Sequence, residues 1–103
     1  MRVVVHEEAE SEFVDAAQWY DARQAGLGGE FLDELHVAID KLKDDPESHS
    51  LLETVDVAGR VYRRRALRRF PYLIIFEVVK DEVQVVAVAH MHRQEDYWID
   101  RSF

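Results

Sequence analysis

The stretch that decides the fold runs Tyr72-Leu73-Ile74-Ile75-Phe76-Glu77-Val78-Val79, then Lys80-Asp81-Glu82, then Val83-Gln84-Val85-Val86-Ala87-Val88-Ala89-His90. Two runs rich in Val, Ile and aromatic residues flank three charged ones. β-branched and aromatic side chains fit a pleated surface, and the charged trio suits a tight turn, so the pattern predicts a β-hairpin. The second run is almost wholly apolar, which predicts a central strand covered on at least one face. Just upstream, Val61 to Leu67 predicts another strand, completing a three-stranded antiparallel segment. Downstream, Gln94 to Arg101 carries Tyr97 and Trp98 and reads as a short C-terminal helix or tail.

Towards the N-terminus, Arg2 to His6 is short and β-branched and predicts a first strand, which must join the sheet to satisfy its backbone. From Glu7 the period changes. Phe13, Ala16, Ala17 and Tyr20, with Ala9 one turn earlier, make an apolar helical stripe, and Glu8, Glu12, Asp15 and Gln18 are assigned to the solvated face. The segment Arg23 to Gly29 holds three glycines and reads as a tight connection. A second helix carries Phe31, Leu35, Ala38, Ile39 and Leu42 and stops at Asp44-Asp45-Pro46, because proline disfavours helix at the preceding residue. So short a connection predicts antiparallel helices. Glu47 to Gly59 reads as a polar linker around Leu51, Leu52 and Val55. Strand, helical hairpin, then strands gives the α+β class, as one domain over residues 1–103.

The chain has 103 residues, enough for one core without staples. It has no cysteine, which excludes disulfides and thiolate metal sites and fits a reducing cytoplasm. No signal-peptide pattern opens the sequence, and no apolar run approaches the roughly 20 residues that span a bilayer. The net charge of −8 argues against non-specific nucleic-acid binding. Its distribution is two-sided: His6 to Asp56 holds 15 acids and 3 bases, whereas Val57 to Phe76 holds 6 arginines and no acid.

Arg68-Arg69-Phe70-Pro71-Tyr72, then Ile74-Ile75-Phe76, then Val85 to His90, His92-Arg93 and Tyr97-Trp98 together resemble the plasmid-stabilisation toxins of the RelE/ParE superfamily. Ala9, Trp19-Tyr20, Gly26-Leu27-Gly28, Phe31, Leu35 and Asp45-Pro46 resemble the helical hairpin of the same family. The resemblance covers essentially the whole chain. It implies a toxin paired with a small antitoxin, usually the product of an adjacent gene, that combines a DNA-binding domain with a segment that wraps the toxin. One branch of the family inhibits DNA gyrase; another enters the ribosomal A site and cuts mRNA. No metal or organic cofactor is implied.

RNA cleavage through the ribose 2′-hydroxyl needs a base, cations for the charged phosphorane and an acid for the leaving oxygen. His92, Arg93 and Tyr97 are the candidates, with His90 nearby. Histidine titrates near neutrality and arginine grips phosphate with a planar fork. In the mRNA-cleaving toxins most similar to RelE, however, an arginine follows the strand tyrosine where Leu73 stands here. Another lies just beyond the last strand, where Met91 stands. These departures make the pattern more similar to the gyrase-directed branch. Ribosome-dependent mRNA cleavage and a non-toxic antitoxin-binding module are the other two readings.

Arg63, Arg64, Arg65, Arg68 and Arg69, with His90 and Trp98, are candidate contacts for a target or an antitoxin. Alternation sends Arg63 and Arg65 to one face of their strand and Arg64 to the other, and one set could instead pair with the acidic helices. Trp98 could equally pack the tail onto the sheet, and His90 could be a hydrogen-bonded histidine at the core margin. Trp19 falls off the main stripe, suiting either a partner contact or burial between the helices. An antitoxin segment would be acidic near the arginines and apolar against the hairpin.

Overall fold

The computed structural model describes residues 1–44, 59–94 and 96–103, together with the backbone of 52–57. Its elements are β1 (Arg2–Val5), α1 (Glu7–Arg23), α2 (Leu27–Asp44), β2 (Leu52–Val57), β3 (Arg60–Ala66), β4 (Tyr72–Val79) and β5 (Glu82–His90). The fold is α+β. One sheet has the order β1-β5-β4-β3-β2, antiparallel throughout except that β1 runs parallel to β5. The decisive hairpin is β4–β5, turned by Lys80-Asp81 with Lys80 in the left-handed region (φ 56°).

The reading of residues 47–59 as linker is corrected at Leu52–Val57, which pairs along its whole length with β3. Leu52, Thr54, Val55 and Val57 suit a pleated surface, and pairing there satisfies a row of β3 backbone groups. Asp45-Pro46 as helix stop, and Leu51 in the linker, lie outside the described residues.

β5 is the most deeply buried strand, although by position it is second in the sheet, between β1 and the middle strand β4. Its apolar side chains serve both faces of the sheet: Val83, Val85 and Val88 join Ile74 and Phe76 under the helices, and Val86, Ala87 and Ala89 join Tyr62, Ile75 and Trp98 on the opposite face. An irregularity at Ile75/Phe76 places Val86 between two paired positions, and this extra residue is what lets adjacent Val86 and Ala87 serve the same cluster.

The helices meet as an antiparallel pair: Tyr20 packs on Phe31 and, further back along α1, Phe13 packs on His36. Two glycines make the corner possible. Gly26 takes φ 90°, where a Cβ is disfavoured. Gly28 lies against α1 so closely that a Cβ would sit 2.3 Å from the Ala17 carbonyl oxygen. Gly28 and Gly29 therefore belong to the first turn of α2 and not to the connection. Asp21 caps that turn, its Oδ1 accepting from the N–H groups of Gly26 (3.0 Å) and Gly28 (3.1 Å).

Candidate functional site

Glu12 organises one end of the molecule. β1 stops pairing at Val5 opposite Val85, whereas β5 continues to His90. The open edge of β5 beyond that point is closed by two side chains. Glu12 accepts a hydrogen bond from the Val88 N–H at 3.0 Å, and Arg101 donates to the Val86 carbonyl at 3.0 Å. The two side chains are joined to each other by paired contacts of 2.9 and 3.0 Å, and the Nε of Arg101 reaches Glu8 at 2.8 Å. Both are nearly buried, with side-chain exposures of 11% for Glu12 and 10% for Arg101. A charge pair thus stands in for the missing strand.

The same carboxylate receives the Tyr97 hydroxyl and lies 3.5 Å from Arg93, whose guanidinium stacks 3.7 Å from the Tyr97 ring centre. Burial, and then the hydrogen bond to Glu12, raise the Tyr97 pKa far above the ordinary phenol range. Burial and the nearby Glu12 charge also raise Tyr72. Of the three candidates for RNA cleavage, Arg93 and Tyr97 are therefore brought together but held by Glu12. His92 is exposed, its ring 5.4 Å from that of His90 and its backbone N–H donating to His90 Nδ1 at 3.1 Å.

The arginine strand divides as alternation requires. Arg63 and Arg65 stand opposite Phe76 and Ile74, on the helix side of the sheet, and Arg64 opposite Ile75, on the other. Arg60 makes a two-point contact with nearly buried Glu77 at 2.6 and 3.1 Å. The β3–β4 connection is tied to α2: Glu34 accepts from the Arg68 and Arg69 N–H groups, and Arg69 pairs with Glu30 at 2.8 Å. Between α2 and this connection lies a groove of about 520 Å³. Its apolar wall is Val37, Ala38 and Leu67, and its rim carries Lys41, Arg65 and Arg68, which form no ion pair among the described residues.

Trp98 lies in the core cluster on the face of the sheet away from the helices. It is 1% exposed and packs 4.6 Å from the Tyr62 ring, under the tail turns closed by Ile99 N–H to Asp96 and Arg101 N–H to Trp98. Trp19, by contrast, is 52% exposed, with Arg23 stacked 3.4 Å from its ring centre. His90 lies at the core margin, its ring edge-on to Tyr72.

Sequence reasoning missed Glu12 by assigning it to the solvated face of α1. The signal was present: Glu12 lies three residues after buried Ala9 and four before buried Ala16, so it borders the apolar stripe. Arg101, its partner, has no local pattern that announces it.

No curated protein matches the chain at a significant level. The family model described as the ParE toxin of the type II toxin–antitoxin system, parDE, matches residues 3–97. That span runs from β1 through the Glu12 partner Tyr97, and the N-terminal strand, helical hairpin and following antiparallel strands in one sheet are those the resemblance implied. The chain belongs to the ParE toxin family of type II toxin–antitoxin systems.

Proposed function

We propose that this toxin arrests growth by binding DNA gyrase, without cutting RNA, and that an antitoxin segment neutralises it. The observation that carries this reading is the engagement of Tyr97 and Arg93 by Glu12. A phenol hydrogen-bonded to a carboxylate, with a raised pKa, is a poor proton acceptor near neutral pH. An arginine committed to that carboxylate and to an aromatic face is not poised for a phosphorane. Leu73 and Met91 stand where RelE-like nucleases carry arginines, which supports the same conclusion.

Antitoxin docking is assigned to the groove between α2 and the β3–β4 connection. Apolar Val37 and Leu67 beside Lys41, Arg65 and Arg68 suit a segment that is acidic on one side and apolar on the other. The test is paired: purified protein is added to gyrase with supercoiled DNA, and to ribosomes translating a defined mRNA. Trapped gyrase–DNA breaks with intact mRNA are expected. Cut mRNA with gyrase unaffected would overturn the proposal.

The exposed His92 ring beside His90 favours one second reading, ribosome-dependent cleavage with His92 in proton transfer. On that reading His92→Gln abolishes mRNA cleavage; on the gyrase reading it leaves growth arrest intact.

A further inference from the structure

A second groove, of about 550 Å³, runs between α1 and the ends of β4 and β5. It lies apart from the α2 groove, and no residue lines both. One wall is Asp15, Trp19 and Tyr20, spaced along one face of α1. The other includes Tyr72 and His90. Three features give it a chemical character. Trp19 is half exposed although Arg23 covers one side of its ring. The hydroxyls of Tyr20 and Tyr72 have no hydrogen-bond partner among the described residues, and neither does the Asp15 carboxylate.

The charge balance inside the groove is what selects a ligand. Arg93 and Glu12 also line it, but they are paired with each other, and Arg101 is satisfied by Glu12 and Glu8. Arg23 stacks on Trp19 and is not among the lining residues. What remains uncompensated is one negative charge, at Asp15, among aromatic rings and two hydroxyl acceptors. A flat cation fits that set: its face lies on an indole or phenol, and its edge donates to a carboxylate and to phenolic oxygens. An ammonium group has the charge without the plane. An anion would meet Asp15, and the one arginine that lines the groove, Arg93, is held by Glu12.

We infer that this groove receives an arginine side chain presented by a protein partner, with the guanidinium against Trp19 and its N–H groups on Asp15 and the Tyr72 hydroxyl. The groove is open along the surface, so an arginine can enter from an apposed protein without unfolding either chain. Buried arginines of this kind anchor many protein interfaces. The inference does not rest on gyrase being the target.

The test uses the whole chain labelled with nitrogen-15 and four capped pentapeptides, two glycines on each side of a central arginine, lysine, norleucine or glutamate. The indole N–H of Trp19, assigned by its loss in Trp19→Phe, is followed during titration. The arginine peptide is expected to shift that signal saturably. The lysine peptide should bind several-fold more weakly, and the norleucine and glutamate peptides should not saturate. Asp15→Asn, a change at an exposed position, should weaken the arginine peptide about fivefold, and Tyr72→Phe should weaken it further. Absence of a saturable shift would overturn the inference. So would equal binding of the norleucine or lysine peptide, or an unchanged affinity in Asp15→Asn whose remaining spectrum is intact.

Discussion

Arg101 closes two nitrogens on the two carboxylate oxygens of Glu12, at 2.9 and 3.0 Å, and so joins the first helix to the tail across the open edge of β5. Neither side chain has much contact with water, so removing one leaves the other charged and largely desolvated.

Glu12→Gln is therefore expected to destabilise the fold by about 3 kcal/mol, read from the midpoint and slope of urea unfolding. Arg101→Met should cost less, because Glu12 keeps Arg93, Tyr97 and the Val88 N–H. The double variant should lose less than the two losses added together, since the partners act as a unit.

Tyr97 gives the molecule an alkaline limit. Its folded pKa is raised, by burial first and Glu12 second, so the native state holds the phenolic proton more tightly than the unfolded chain does. The contribution is fully present below the unfolded phenol pKa of about 10 and declines as pH rises above it. Tyr20, Tyr62 and Tyr72 are shifted upwards too, chiefly by burial. Ultraviolet titration should show phenolate forming only as the protein unfolds, and Tyr97→Phe should flatten the fall of stability above about pH 10.

Neighbouring glycines at the hairpin should respond oppositely to alanine. Gly28→Ala forces a methyl into the Ala17 carbonyl and should cost about 2 kcal/mol as the helices separate. Gly29 meets nothing within 4 Å, and Gly29→Ala should stabilise by about 0.5 kcal/mol by stiffening the unfolded chain. Thermal melts of the two variants, run side by side, check both signs.

A change at Val37 should separate antitoxin docking from toxicity. It is 55% exposed on α2 and lines the groove assigned to the antitoxin. Val37→Asp should leave the melting temperature within about a degree or two of the parent while weakening antitoxin binding by tenfold or more. Cells carrying both genes should then stop growing on induction. Rescue as complete as in the parent pair would remove this groove from the docking site.

The hairpin β4–β5 was legible because its β-type apolar runs and charged turn are local, and α1 and α2 were legible through their stripes. β2 was not: its Leu52, Thr54, Val55 and Val57 suit a strand but are too few to stand out between polar neighbours, and its pairing depends on backbone groups that β3 offers from outside the segment. The site was harder still. The division of Arg63 and Arg65 from Arg64 followed from the pleat alone, whereas the burial of Trp98 required knowing that Tyr62 lies beneath it. The spacing of Glu12 from Ala9 and Ala16 could have marked it as bordering the apolar stripe, but its role there is set by the place where β1 ends along β5, a relation between distant segments.

The parallel pairing of β1 with β5 also fixes an order of events during synthesis. Arg2 and Glu82 are neighbours in the sheet but 80 residues apart in the chain. Until β5 has left the ribosome, β1 has no partner, Glu12 has no Val88 to cap, and α1 has no β5 to pack on. A half-made chain cannot yet present the groove that α1 shares with Tyr72 and His90. That surface is complete only when the earliest strand and the latest strand meet.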